Sequence, residues 1–277
     1  MKEFLTGRIG HPLLELLRQY RYAHRGFHDK PVVPENSLAA FRRAVERGFG
    51  AELDIHLTKD GQLVVFHDSD LKRCTGAEGI LEEKTLAELR QLRLEGTDEL
   101  IPLFDEVLEL FEATKGSISR AAGSDRELPP HTLPLIIELK TRAGNHEALA
   151  EAACKRLDSY KGTFCVESFD PRAIQAVRKL RPDIVRGQLS TDFRVNPEDA
   201  PKGTAGLLTD LKLDVLSRPD FVAYDFTYKD NAAFLRAVKS GIQGVSWTIR
   251  SREDLKTAES LGYIPIFEKF DPETPAE

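Results

Sequence analysis

Short apolar runs and amphipathic helical runs take turns along most of this chain, and that alternation constrains its fold more than any other feature. Strands end near Lys140, Ser168, Leu189, Phe226, Thr248 and Phe267, separated by helical runs such as 146–159, 171–180, 229–240 and 251–261. Two earlier strands, over 21–24 and 50–57, flank a helix over 38–47 that Asn36 or Ser37 can cap and Gly48 closes. Eight strands alternating with helices predict a parallel sheet closed into a (β/α)8 TIM barrel, an architecture of about 250 residues that the 277 present can fill. A doubly wound open sheet is the rival, but no Gly-x-Gly-x-x-Gly follows the first strand.

The alternation breaks once. After the turn signal Lys59-Asp60-Gly61, residues 62–66 return as a strand that delivers His67 and Asp68. Residues from about 69 to 101 then fit no βα repeat: 74–79 reads as loop and 85–90 as a short helix. The expectation is a small insertion after the second strand, lying over the catalytic face of the barrel. An amphipathic helix resumes over 102–111, and 116–133, with its Ser, Gly and Pro, reads as a mobile surface loop. Residues 1–20 read as a leader whose short helix near 12–18 packs on the domain, and 21–277 as a single barrel domain.

Composition narrows the function. A hydrophobic content of 41% with 30% charged residues describes a soluble globular chain with a sizeable core. A net charge of -6 argues against a polyanion-binding surface, so no nucleic acid partner is expected. Cys74, Cys154 and Cys165 lie in unlike contexts and read as reduced thiols, which points to the cytoplasm. The amino terminus does not resemble a secretory signal, and no segment approaches about 18 uninterrupted apolar residues, so no transmembrane segment is expected. Oligomeric state is not legible.

Within that frame a few polar residues stand out. Glu52 and Asp54, two apart on a strand, point to one face while Leu53 and Ile55 point to the other. Like charges side by side invite a cation, and hard oxygen ligands suit Mg²⁺, Ca²⁺ or Mn²⁺ better than zinc. Glu138 offers a third carboxylate at the end of an apolar strand, with Lys140 on the same face. Arg25 presents a planar fork suited to phosphate oxygens, and Lys140 a point charge of the same sign. His24 beside Arg25 and His67 beside Asp68 supply the two proton-transfer groups that a phosphodiester needs, one at the nucleophile and one at the departing oxygen. His28, His56 and His131 have no such context and read as surface or structural residues, and the strand phase leaves Glu167 ambiguous.

Ala23-His24-Arg25-Gly26, Pro34-Glu35-Asn36-Ser37, Glu52-x-Asp54, Thr58-Lys59-Asp60-Gly61, Phe66-His67-Asp68, Glu138-Leu139-Lys140, Ser168-Phe169-Asp170 and Trp247-Thr248 together resemble the signature of the glycerophosphodiester phosphodiesterase family. The likeness covers nearly all of the chain beyond the leader. It implies a TIM barrel with a small insertion after the His-Asp pair. The implied activity is that of a phosphoric diester hydrolase of glycerol and lipid metabolism, cleaving a small-molecule glycerophosphodiester to glycerol 3-phosphate and an alcohol with one divalent cation. It further implies His24 and His67 as the acid/base pair, Arg25 as a phosphate ligand, and Glu52, Asp54 and Glu138 as metal ligands. Lys140 would contact phosphate or water on the cation, and Trp247 would form an apolar wall. In the route the resemblance implies, the glycerol 2-hydroxyl attacks phosphorus and leaves a cyclic phosphate for hydrolysis. Glu35 and Asn36 either orient Arg25 and its neighbours or begin the helix, and Gln188, at another strand end, is a candidate substrate contact. The family's last strand commonly ends in a Thr-Asp-x-Pro turn, whereas this one runs Ile266-Phe267-Glu268-Lys269-Phe270.

Three alternatives remain at this level. A lysophospholipase D-type enzyme would use the same chemistry on lysophospholipids. A barrel lyase or isomerase could use Lys140 as a base, but would leave Arg25 and the second histidine without a duty. A catalytically silent phosphate-binding barrel would be expected to lack one of the proposed groups.

Overall fold

Strands covered on both faces read as near-continuous apolar runs, and Leu135–Leu139, buried along its whole length, is one of them. The computed structural model describes residues 8–116, 118–120 and 127–274. Its strands are β1 (Tyr22–Ala23), β2 (Gly50–Leu57), β3 (Leu63–Val65), β4 (Ile118–Arg120), β5 (Glu127–His131), β6 (Leu135–Leu139), β7 (Phe164–Ser168), β8 (Arg186–Ser190), β9 (Phe221–Asp225), β10 (Gln243–Ile249) and β11 (Ile264–Phe267). Strands β1, β2 and β6 to β11 pair in parallel in that order, and β1 pairs with both β2 and β11, which closes an eight-stranded barrel. The expected TIM barrel is the observed fold.

Several helices begin on a capping side chain. Ser37 accepts from the Ala40 amide at the start of Leu38–Glu46, Asp170 from Arg172 at the start of Pro171–Leu180, and Ser251 from Asp254 at the start of Arg252–Ser260. Of the two candidate caps for the first of these helices, Ser37 is therefore the one used. The helix Pro12–Leu17 buries Leu14 and Leu17 in the main apolar cluster. Cys74, Cys154 and Cys165 are free and buried. Among the described residues no helix is long and apolar enough to cross a membrane.

The insertion is a folded unit. Strand β3 runs antiparallel to β2, and Val64, Phe66, Leu71, Leu81, Leu89 and Ile101 belong to a small apolar cluster distinct from the barrel's. Thr85 and Glu88 form a reciprocal capping box on Leu86–Leu89. The stretch expected as a loop over 116–133 instead contains the antiparallel pair β4 and β5. Pro129 and Pro130 within β5 hid that pairing, because proline argues against a central strand but is tolerated on an edge. The intervening residues 121–126 lie outside the described ones.

Candidate active site

The site is assembled where the chain leaves β1. Arg25 and Gly26 both take positive φ, 54° and 78°, and a Cβ on Gly26 would lie 2.8 Å from that of Ala40, so only glycine fits the second position. This turn aims the Arg25 amide at Glu52 Oε2, 3.0 Å away, and its guanidinium at Glu35 Oε1, 2.8 Å away. Asn36, also at positive φ, receives no strain relief from glycine but is held by its amide, which donates to the Arg25 carbonyl, and by Nδ2, which donates to Asp54 Oδ2 at 2.8 Å. Buried Glu35 binds Arg25, Lys30 and Arg73 together. Glu35 and Asn36 thus lie against Arg25 and Asp54 while Ser37 begins the helix.

Parallel register brings the carboxylates into line. Asp54 on β2 stands opposite Glu138 on β6, which stands opposite Glu167 on β7. Glu52, Asp54 and Glu138 are all buried, and each has an oxygen within 4.8 Å of the others'. Burial, then the neighbouring Asp54 and Glu138 charges, push Glu52 well above the usual carboxylate range. Burial also raises Glu138, to about 7, although Lys140 pulls the other way. Burial would raise Asp54 too, but His67, Lys140 and Arg25 outweigh it and hold the group well below its ordinary value. Asp54 Oδ1 is buried without a hydrogen-bond partner, which leaves a lone pair that could serve a cation. An all-oxygen donor set of this charge fits Mg²⁺, Ca²⁺ or Mn²⁺.

The two histidines flank this cradle, each braced by a carboxylate. His24 Nδ1 donates to Glu268 Oε2 at 2.7 Å, and its Nε2 lies 3.9 Å from Glu52 Oε2. Burial, reinforced by the Arg25 charge, lowers His24 to about 4. His67 Nδ1 contacts Asp68, and Lys140 Nζ approaches its Nε2 at 3.3 Å. Burial, then the Lys140 charge, depress His67 against the pull of Asp54. Lys140 also reaches Glu138 at 3.0 Å and Asp54 at 3.6 Å. His56 is buried and structural: Nε2 donates to the His67 carbonyl at 3.0 Å while Nδ1 contacts Glu82.

His24, Arg25, Glu52, His67 and Glu138 line a cavity of about 40 Å³, while Asp54 and Lys140 lie behind its wall in contact with Glu138 and each other. Trp247 lies on its apolar side, packed edge-on against Phe169 at 5.6 Å. Gln188 is not on that wall. Its Nε2 donates to the carbonyls of Ser168, Phe169 and Leu189, and Leu189 faces the cavity in its place. A one-residue difference in strand phase reverses which side chain points inward. Glu167 lines the cavity with Oε2 unpartnered, a position that its register with Glu138 discloses and its local sequence does not. Phe169, in Ser168-Phe169-Asp170, lines the cavity, and Glu268, which no local signal marks, reaches His24.

The profile of the glycerophosphoryl diester phosphodiesterase family matches residues 24–270. This chain belongs to that family of phosphoric diester hydrolases. A glycerophosphodiester phosphodiesterase of Caldanaerobacter subterraneus is 30% identical over 262 residues, spanning 91% of this chain and 94% of that protein. A lysophospholipase D from Rattus norvegicus is 41% identical over 105 residues, 33% of each chain. Among solved structures, a phosphodiesterase of Oleispira antarctica in complex with the product sn-glycerol-3-phosphate superposes with a TM-score of 0.69 at 24% identity, covering 90% of this chain and 92% of that one. The family's fold and this barrel are the same.

Proposed function

We propose that the chain hydrolyses glycerophosphodiesters to glycerol 3-phosphate and an alcohol by two-histidine acid/base catalysis. The observation that carries this reading is the placement of His24 and His67, each braced through Nδ1, on a buried cradle of Glu52, Asp54 and Glu138. Arg25 and Lys140 bind phosphate oxygens, Trp247 and Phe169 wall the apolar side, and Glu35 and Asn36 hold Arg25 and Asp54 in place. One histidine takes the proton of the attacking hydroxyl at Nε2, and the other returns a proton to the departing oxygen. Glu52, Asp54 and Glu138 would hold a divalent cation, which would supply positive charge to offset the charge that builds on the phosphate. The cation's identity as Mg²⁺, Ca²⁺ or Mn²⁺ is part of the proposal.

The burial of Leu14 and Leu17 supports treating residues 1–20 as a leader on a single catalytic domain, 21–277. Three buried free thiols support a reducing, cytoplasmic setting, and the reaction belongs to glycerol and lipid metabolism. Gln188 acts through the backbone carbonyls it ties rather than by touching substrate.

A second substrate reading rests on a specific feature. A groove of about 530 Å³ shares Phe169 with the cavity; Phe193, Leu208, Leu213 and Leu216 form its apolar part, and Arg142, Asp170 and Arg172 also line it. It would accept the apolar chain of a lysophospholipid, the substrate of a lysophospholipase D. The deciding experiment is an assay of glycerol 3-phosphate release from glycerophosphocholine and glycerophosphoethanolamine under each cation, with choline release from lysophosphatidylcholine in parallel. His67→Ala should lower the favoured reaction by at least about 100-fold. A rate near wild type would remove His67 from the mechanism.

A further inference from the structure

We infer that Glu268 is the positioning residue for His24, fixing the ring so that Nε2, and not Nδ1, faces the reacting phosphodiester. The inference rests on the reading of His24 as an acid/base group and adds a residue that neither the motifs nor the comparisons assign.

Glu268 follows directly on β11, and its side chain is 9% exposed. Its two carboxylate oxygens have separate duties. Oε2 accepts from His24 Nδ1 at 2.7 Å, and Oε1 accepts from Arg250 Nε at 2.7 Å. Arg250 therefore fixes the rotation of the carboxylate that fixes the imidazole. The backbone is tied at the same place: the His24 amide donates to the Phe267 carbonyl at 2.9 Å, and the Glu268 amide to the Ile249 carbonyl at 3.0 Å. His28 Nε2, 3.7 Å from Oε2, closes the remaining side. With Nδ1 engaged, His24 has only Nε2 left to exchange a proton, and Nε2 is directed toward the Glu52 edge of the cavity.

The arrangement has an internal parallel. His67 is braced by Asp68, which in turn is held by Arg73, so both histidines have a carboxylate at Nδ1 and an arginine behind it. Proton accounting is the same in both: Nε2 accepts a proton from a hydroxyl or delivers one to an oxygen, the imidazolium formed transiently is stabilised by the carboxylate, and the carboxylate stays ionised throughout. The position falls where this chain departs from the Thr-Asp-x-Pro ending.

The test is a double-mutant cycle on the full chain, with glycerophosphocholine as substrate and saturating cation. Glu268→Gln preserves shape and removes charge, so kcat should fall about 10- to 100-fold with KM within about 2-fold. His24→Ala/Glu268→Gln should be no slower than His24→Ala, because a residue that acts through His24 has nothing to act on once the ring is gone. Glu268→Asp should recover part of the loss, and it decides the matter if the glutamine variant melts early. Multiplicative losses in the double mutant, a change confined to KM, or a kcat within about 3-fold of wild type for both single variants would overturn the inference. Near-wild-type turnover by His24→Ala would instead remove the His24 reading and the inference with it.

Discussion

Glu35 shows how one buried carboxylate can gather side chains from separate segments. Three cations converge on its carboxylate, which burial alone would raise; Arg73, Arg25 and Lys30 hold it far below the usual 4.5. A depressed folded-state value stabilises the protein above the unfolded value, and that stabilisation is lost as pH falls. Glu35→Gln is therefore expected to cost about 3 kcal/mol near neutral pH. The deficit relative to wild type should shrink as pH drops below 4.5. Denaturant midpoints for both proteins across that range check it, and a deficit independent of pH would contradict the assignment. Most of the residues around this point were legible because adjacency carried them: His24 beside Arg25, Glu52 two from Asp54, His67 beside Asp68. Glu167, Leu189 and Glu268 were not, because their roles depend on which strand lies opposite and on a partner 244 positions away. The direction of the Gln188 side chain was hidden for the same reason, strand phase being ambiguous in a short buried strand.

At the level of elements, the alternation of strands and helices was readable because several helices open on a capping side chain, as at Ser37, Asp170 and Ser251, and strands such as Leu135–Leu139 are apolar runs. The β4–β5 pair was not, since its prolines speak against a strand until the partner is known. The insertion was visible only as a break in the repeat; that it has its own apolar cluster required the structure. Phe66 belongs to that cluster and immediately precedes His67. Leu89→Ala, which empties a fully buried position there, should cost about 2–5 kcal/mol and raise amide exchange selectively across 69–101. Uniform exchange over the whole barrel would show that the insertion is not a separate unit of stability. Turnover should fall as His67 loses its fixed footing.

At the scale of the whole molecule, closure of the barrel makes the site. Two residues of β1 bond to β2 on one side and β11 on the other, and this brings His24, Glu52 and Glu268 together at one end of the sheet. The cradle is then completed from β6 by Glu138. The proposed groups come from β2 and β6 and from the residues after β1, β3, β6 and β11, so the proposed cation binding, phosphate binding and proton transfer would all depend on one closed fold. The most direct measurement is glycerol 3-phosphate release from glycerophosphocholine by wild type stripped with chelator and then resupplied with Mg²⁺, Ca²⁺ or Mn²⁺, beside Glu52→Gln treated identically. Stripping should abolish release, at least one cation should restore it, and Glu52→Gln should remain at least about 100-fold slower under every cation. Release that persists through chelation, or a Glu52→Gln variant restored to the wild-type rate, would contradict a reaction built on the three-carboxylate cradle.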